Sequence, residues 1–159
     1  MHSAKPSPPR EMRLTMRVLA YWREICGERE FPQRSDIAAE GLGADWSHCL
    51  LIAIEAMPER SSFLYVGSEL VVPDGASLVG SPVVACSRET ILGLATAYLG
   101  TVLHRRVPVS LSGSGTHRGA PILYRSILLP LSTDGHQIDC LLGAANFRYV
   151  RTSDEEHSG

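Results

Sequence analysis

The sequence has no apolar run long enough to cross a membrane. Its longest apolar stretches fall far short of the ~20 residues that a spanning helix needs. The chain begins with "MHSAKPSPPREMR", which lacks the apolar segment of a secretory signal peptide. We therefore expect no membrane partner and no export, with the cytoplasm as the location of the protein.

The chain also lacks an excess of charge of either sign. Its 15 Lys and Arg residues oppose 17 Asp and Glu residues, which gives a net charge of −2 and a pI of about 6.3. Proteins that bind nucleic acid electrostatically usually carry concentrated positive charge. We therefore expect no nucleic-acid partner. The apolar fraction of 44% is sufficient for the core of one ordinary domain.

Cysteines are few and scattered. The four lie at positions 26, 49, 86 and 140 without a CxxC pair, so they are expected to be buried thiols and not disulfides or zinc ligands. No two histidines share metal-ligand spacing with an Asp, Glu or Cys on one helix face. The sequence predicts no metal site and identifies no cofactor.

Residues 11–27 show the apolar period of an amphipathic helix. Gly27 follows the last apolar position, where a helix ends easily. The apolar positions are Leu14, Val18, Tyr21 or Trp22, and Ile25. This helix needs an apolar surface to cover, which is either a second copy of itself or the chain's own sheet.

The rest of the pattern predicts five strands and a second long helix. The strands fall at 48–55, 63–72, 107–117, 118–131 and 137–150, and the helix at 87–104. Asp134-Gly135 between the last two strands is a strong hairpin signal. Short links between consecutive strands indicate an antiparallel sheet with helices on one face, an α+β fold. One domain over 11–150 is predicted, with a flexible leader at 1–10 and a flexible tail at 151–159.

The glycine-rich stretch "GSGTHRG" at 113–119 superficially resembles a phosphate-binding loop. Such loops follow a strand and open a helix, whereas here another strand follows. The stretch is therefore interpreted as a hairpin loop. His117 in this loop and His136 in the next turn are expected to be solvated.

The motifs at the two ends of the domain resemble a known family. "LAYWREICGEREFPQRSDI" near the start and "ILLPLSTDGHQIDCLLGA" near the end are similar to the small stand-alone PAS-like proteins of alphaproteobacteria. The resemblance covers about residues 14–146. It implies the PAS order of two strands, a helical middle and three strands. It also implies a cytoplasmic sensory or protein-interaction module, often dimeric, in bacterial signalling.

Four side chains are candidates for a ligand pocket in such a module. Tyr65, Tyr98 and Tyr124 fall on elements that are expected to face one another on the helical side of the sheet. His104, near the end of the second helix, is the best candidate for an axial haem ligand, although a solvated residue that stabilises the helix end is the favoured interpretation.

A partner surface is predicted near the N-terminal helix. We assign Trp22 on this helix, and Arg34 and Asp36 in the following "PQRSDI" loop, to this surface, since loops often carry binding function. The alternative for the loop, and the favoured interpretation, is a local ion pair or a helix cap. The helix itself is a candidate for a homodimer interface, and a signalling protein is a candidate partner.

These patterns lead to a non-enzymatic sensory or interaction module, with or without a small apolar ligand. One alternative is a cone-shaped α+β enzyme of the ketosteroid-isomerase type, which needs a carboxyl group deep in an apolar cavity. Glu55, Glu69 and Asp139 are the carboxylates on the predicted strands. A second alternative is a ligand-free structural interaction domain.

Overall fold

The computed structural model describes residues 12–71 and 77–151 of the chain. The predicted leader over 1–10 lies outside these ranges. So do most of the predicted tail over 151–159 and positions 72–76, which the prediction divided between the second strand and the next loop.

The predicted amphipathic helix is present as α1, Leu14–Cys26. Its buried face includes the predicted Leu14, Val18 and Trp22, and Cys26 replaces Ile25 as the last fully buried member. The helix ends at Gly27, whose positive φ of 61° costs little in a residue without a Cβ. The chain then passes through a 3₁₀ turn at Arg34–Asp36, the short helix α2 at Ala39–Leu42 and a 3₁₀ turn at Gly43–His48.

Five strands form one antiparallel sheet in the order β2-β1-β5-β4-β3. The predicted α+β class and the five-stranded antiparallel sheet are confirmed. The first two strands are shorter than predicted, since each gives way to a 3₁₀ turn. The strands are β1 Cys49–Ala53, β2 Ser62–Val66, β3 Val109–His117, β4 Ala120–Leu131 and β5 Cys140–Tyr149.

Both faces of the sheet are covered over its centre. Every residue of β4 from Ser126 to Leu131 is buried, although alternate side chains point to opposite faces. Ser126 contacts Tyr98 in the helical segment at 91–105, and we call this side the inner face. Ile127, Leu129 and Leu131 point to the other side, the outer face, where α1 contacts β4 and β5.

The second helix predicted over 87–104 is interrupted. It forms α3, Ile91–Thr96, and α4, Leu99–Arg105. α3 begins at Thr90, whose hydroxyl accepts the N–H of Gly93 at 3.2 Å. The break follows Thr96, whose hydroxyl donates to the Leu92 carbonyl at 2.8 Å, and Tyr98 takes a non-helical conformation. The prediction was therefore wrong at the helix start and at this break.

Side chains hold the turn between β4 and β5 together. The Asp134 Oδ1 atom accepts the backbone N–H groups of His136 and Gln137, each at 2.8 Å. Ser132 Oγ accepts the N–H of Gly135 and donates to the carbonyl of Gln137. Gly135 has a φ of 82°, which confirms that the Asp-Gly pair makes the turn. In the part of the chain that the structure describes, no helix is long and apolar enough to cross a membrane.

Candidate functional site

Side chains of the protein fill the centre of the inner face. Gly143 of β5 lies between Leu50 of β1 and Leu128 of β4 in the sheet register. Leu50 and Leu128 close over this glycine, because a Cβ added at Gly143 would come within 2.8 Å of a methyl carbon of each. Both leucines are fully buried. This is the region between helix and sheet where the sequence placed a ligand pocket.

Leu94 of α3 fills the inner face nearer β3. A Cβ added at Gly115 would lie 2.6 Å from the Leu94 Cδ1 atom, so the leucine occupies the space that this glycine leaves open. Gly93 allows a second close approach, since a Cβ there would lie 1.9 Å from the Ser87 carbonyl oxygen. Gly115 thus permits the close packing of α3 on the sheet, and Gly93 permits the close approach of the loop before α3.

A buried polar pair links the helix break to the sheet. The Tyr98 hydroxyl lies 2.8 Å from Ser126 Oγ at the centre of β4, and Ser126 is fully buried. Burial raises the pKa of Tyr98, against the opposing effect of its hydrogen bond with Ser126. Tyr124, two positions before Ser126, faces the same side and is buried. Two of the three predicted pocket tyrosines therefore lie together on the inner face.

Tyr65 lies on the other face, contrary to the expectation. Its ring stacks on Trp46 at a centroid distance of 4.1 Å, and its hydroxyl donates to the Trp46 carbonyl at 2.8 Å. The cause is a bulge in β2, where Ile52 pairs with Phe63 but Leu51 pairs with Tyr65. Phe63 therefore enters the inner core and Tyr65 points outward.

His104 is exposed in the last turn of α4. This agrees with the favoured interpretation of a solvated residue at a helix end. His117 was expected to be solvated, and that expectation is wrong. It is the last residue of β3, it is buried, and its Nδ1 atom accepts the N–H of Ile91 at 2.9 Å. Burial and the neighbouring Arg118 lower the pKa of His117.

The stretch at 113–119 is mostly strand and not loop. Gly113 to His117 belong to β3, and only Arg118 and Gly119 form the turn. Arg118 has a φ of 54° and Gly119 a φ of 85°, as in a two-residue hairpin. The glycine at 115 leaves room for Leu94 above the strand, whereas a Cβ at Gly113 would make only an ordinary contact with Tyr124.

Trp22 is buried and does not form part of a partner surface, so that assignment was wrong. Only 8% of its surface is exposed, and its indole N–H donates to the Pro130 carbonyl at 2.9 Å. The residue was assigned to a surface because helical periodicity alone does not show which partner covers a tryptophan. Here the chain's own β4 covers it.

Asp36 has the local role that was the alternative for its loop. Its Oδ2 atom accepts the Gln33 N–H at 2.8 Å and lies 2.8 Å from the Arg29 guanidinium. The Gln33 N–H lowers the pKa of Asp36, and so does Arg29. The ion-pair partner is thus Arg29 and not Arg34. Arg34 is exposed, and its role at a partner surface stays a prediction.

An open trough lies on the outer face beyond the start of α1, and the sequence reading did not predict it. It encloses about 610 Å³. Ser112, Arg125 and Asn146 stand in one row across three strands, and Ser114, Leu123 and Arg148 stand in the next. Arg13 at the N-terminus of α1 completes the wall. The described lining residues thus include three arginines and no acid.

A second groove of about 310 Å³ runs along the side of α3 and α4 that faces away from the sheet. Apolar and small residues form most of its wall, including Val83, Val84, Leu99 and Gly100, while Glu59 and Arg88 also line it. Val84 is 66% exposed. None of the four predicted pocket residues lines this groove.

The cysteines are thiols, as predicted. All four are free, and those at 26, 49 and 140 are buried. Burial raises the pKa of Cys49 and of Cys140 to about 12 in each case, so both are protonated and unreactive near neutral pH. Among residues 12–71 and 77–151, no three His, Cys, Asp or Glu side chains are arranged to hold a metal ion.

The three strand carboxylates considered for an enzyme do not lie in an apolar cavity. Glu55 and Glu69 are exposed. Asp139 is half-buried and accepts the N–H of Thr133 at 3.1 Å beside the β4–β5 turn. An isomerase-type acid or base would have to be desolvated among apolar groups, and these positions do not provide that environment.

Solved structures are similar to this chain at low sequence identity. The light state structure of the blue-light photoreceptor Aureochrome1 LOV is similar with a TM-score of 0.44 and 14% identity, over 70% of this chain and 93% of that chain. A structure of an RNA-binding Light-Oxygen-Voltage receptor is similar with a TM-score of 0.43 and 14% identity, over 70% and 34% of the two chains. A variant of Vivid is similar with a TM-score of 0.45 and 12% identity, over 92% and 99%.

No curated protein sequence matches this chain. The sequence model of the PAS domain family, in contrast, matches residues 10–146, which include both end motifs, the first four strands and most of β5. Family membership rests on this match. The chain belongs to the PAS domain family.

Proposed function

We propose that this PAS module acts by contact with a partner protein, and that its interior holds no resident ligand. The observation that carries this proposal is the closure of Leu50 and Leu128 over Gly143, at the place between helices and sheet where a ligand would have to lie. A ligand there would have to displace fully buried leucines. Each displaced side chain costs about 1.5–3 kcal/mol of burial.

The Tyr98–Ser126 pair supports the same proposal. A buried hydroxyl needs a hydrogen-bond partner, and each of these hydroxyls supplies one to the other. Both oxygens are therefore already engaged in a hydrogen bond within the protein. The pair also joins the break between α3 and α4 to β4, so a movement of the helices would alter a contact with the sheet.

The homodimer through the N-terminal helix stays part of the proposal in a modified form. The apolar face of α1 is already buried on the sheet, so a second copy would have to use its outward side. Met16 on that side is 50% exposed. A dimer through this side alone would be weak, because a single methionine offers little apolar area.

Native mass spectrometry of protein purified without denaturation tests the proposal. We expect the bare mass of the chain, or an integral multiple of it, and an absorbance spectrum without a visible band. A persistent extra mass across several preparations, whether coloured or not, that the substitution Gly100→Leu does not remove would overturn the ligand-free interior.

A second candidate function is the binding of a small apolar ligand in the groove beside α3 and α4. Its volume of about 310 Å³ lies at the small end of ligand sites, and its wall is largely apolar. A small apolar molecule bound there would appear as extra mass. The substitution Gly100→Leu should remove this mass, because Gly100 lines the groove and a leucine side chain at this position would extend into the open space that the ligand occupies.

A further inference from the structure

One edge of the sheet is covered by another segment of the chain, and the other edge is open among the described residues. β2 forms one edge, and the segment at 79–82 covers it through bridges from Val79 to Phe63 and from Pro82 to Ser62. The Phe63 N–H donates to the Ser81 carbonyl at 3.1 Å. β3 forms the other edge. Within the described ranges, residues 109–117 make backbone hydrogen bonds to β4 alone.

The β3–β4 turn fixes which backbone groups of β3 point away from the sheet. In a two-residue hairpin the flanking residues, here His117 and Ala120, form a hydrogen-bonded pair. Pairs therefore alternate, and the odd-numbered residues of β3 bond to β4. The N–H and C=O groups that point to the open edge belong to Ser110, Ser112, Ser114 and Thr116.

Among the residues that the structure describes, this edge carries none of the usual protection against another strand. β3 is nine residues long, with the sequence "VSLSGSGTH", and contains no proline, lysine or acid. Its residues 110–114 are exposed. Proteins commonly protect open edges with charges, prolines or short strands, because unpaired backbone groups are a template for strand addition. A long neutral edge therefore favours an added strand.

The trough beside this edge indicates the charge of the added strand. Arg125 stands directly opposite Ser112, and no described carboxylate forms an ion pair with it. An added strand would lie about 4.8 Å beyond β3. Because the serines between are short, the Arg125 guanidinium can extend over Ser112 toward a carboxylate on the added strand. Arg13 and Arg148 line the same trough.

We propose that the open edge of β3 binds an extended acidic segment of a partner protein as a sixth strand, with carboxylates at alternate positions over Arg125 and the trough. This inference rests on the proposed function, since it names the partner that contact requires. Backbone bonds to the outward groups of Ser112 and Ser114 supply affinity, and Arg125 and Arg13 select for acidic residues.

A peptide titration of the whole chain tests the proposal. The probe is a nine-residue peptide of alternating threonine and glutamate, the length of β3, and the control peptide has lysine in place of glutamate. Two-dimensional amide NMR should show saturable shifts along β3 and slowed hydrogen exchange at Ser112 and Ser114. The lysine peptide should bind at least about tenfold more weakly.

Two pairs of variants locate the binding. Ser112→Pro removes an outward N–H without removing a bond to β4, since proline is tolerated at strand edges. It should abolish peptide binding, whereas Ser112→Ala should retain it. Arg125→Glu should weaken binding by about tenfold, whereas Arg60→Glu, exposed near the opposite edge, should not. Amide spectra of the free variants establish that each is folded.

Equal binding of both peptides, or binding by the Ser112→Pro variant equal to that of Ser112→Ala, would overturn the proposal. A dimer of this chain would also overturn it, if Ser112→Pro abolishes the dimer and the acidic peptide does not displace it. A second copy of the chain would then occupy the edge of β3. None of these results changes the measured mass of the purified chain, so the ligand-free interior is decided separately.

Discussion

The indole N–H of Trp22 donates to the carbonyl oxygen of Pro130, 108 positions further along the chain. Two more bonds join the same regions, from the Ser132 N–H to the Pro32 carbonyl at 2.9 Å and from the Gln33 side-chain amide to the Thr133 carbonyl at 3.0 Å. The two motifs that suggested the family thus form one junction. Their shared role is to hold the start of the domain against its closing hairpin.

Trp22→Phe should lower the free energy of unfolding by about 1–3 kcal/mol, because the buried Pro130 carbonyl loses its donor while most of the apolar contact is kept. Urea unfolding followed by circular dichroism gives this value. Met16→Leu on the exposed side of the same helix should change it by less than about 0.5 kcal/mol. Equal effects of the two substitutions would contradict the assigned role.

Gly143→Ala should destabilise the protein by about 1–3 kcal/mol, because its methyl group collides with Leu50 and Leu128 in a closely packed interior. The matched substitution is Gly100→Ala in α4, where nothing lies within 4 Å of the added Cβ. That change should stabilise by about 0.5–1 kcal/mol through helix propensity. Thermal unfolding of both variants is the measurement, and a Gly143→Ala protein as stable as the natural one would show that the inner face has spare room.

Acid should loosen the β4–β5 turn through Asp134. The N–H groups of Gln137 and His136 lower the pKa of Asp134 to about 2, from an ordinary value of 3.8. A lowered pKa stabilises the folded state above the ordinary value, and this contribution is lost as the pH falls from about 4 to about 2. Asp134→Asn should therefore be less stable at neutral pH and should lose less stability over that interval. Urea midpoints at several pH values measure this, and parallel curves for the two proteins would refute it.

His117 should make the protein less stable in mild acid. Because the pKa of His117 is lowered in the folded state, the unfolded chain takes up a proton first as the pH falls below about 6.5. Stability is therefore fully present above that pH and declines below it. His117→Gln offers an acceptor for the Ile91 N–H and does not titrate in this range, so it should show a smaller decline between about pH 7.5 and pH 5.5. An equal decline in both proteins would contradict the role of this histidine.

Local signals predicted much of the fold. The Asp134-Gly135 pair identified the last hairpin, and the apolar period of α1 identified its buried face. The failures have tertiary causes. His117 is buried because the first N–H of α3 needs an acceptor, and Tyr65 changes face because of a bulge that alternation alone does not reveal.

The break between α3 and α4 was also not predicted from the sequence. The apolar positions on either side of Ala97 fit one continuous helix, and the interruption is seen only in the structure, where Tyr98 leaves the helical conformation and its hydroxyl bonds to the sheet. The trough was missed for a related reason. Arg125 and Arg148 come together through strand register, so their proximity is absent from any single stretch of sequence.

The most direct test of a filled interior is a methyl NOE spectrum of the natively purified protein. If side chains alone occupy the inner face, the methyl groups of Leu50 and Leu128 give strong mutual NOEs across Gly143, and a Leu94 methyl group gives one to the Gly115 Hα. Absence of these cross-peaks, or cross-peaks from the same methyl groups to protons that do not belong to the protein, would contradict the account.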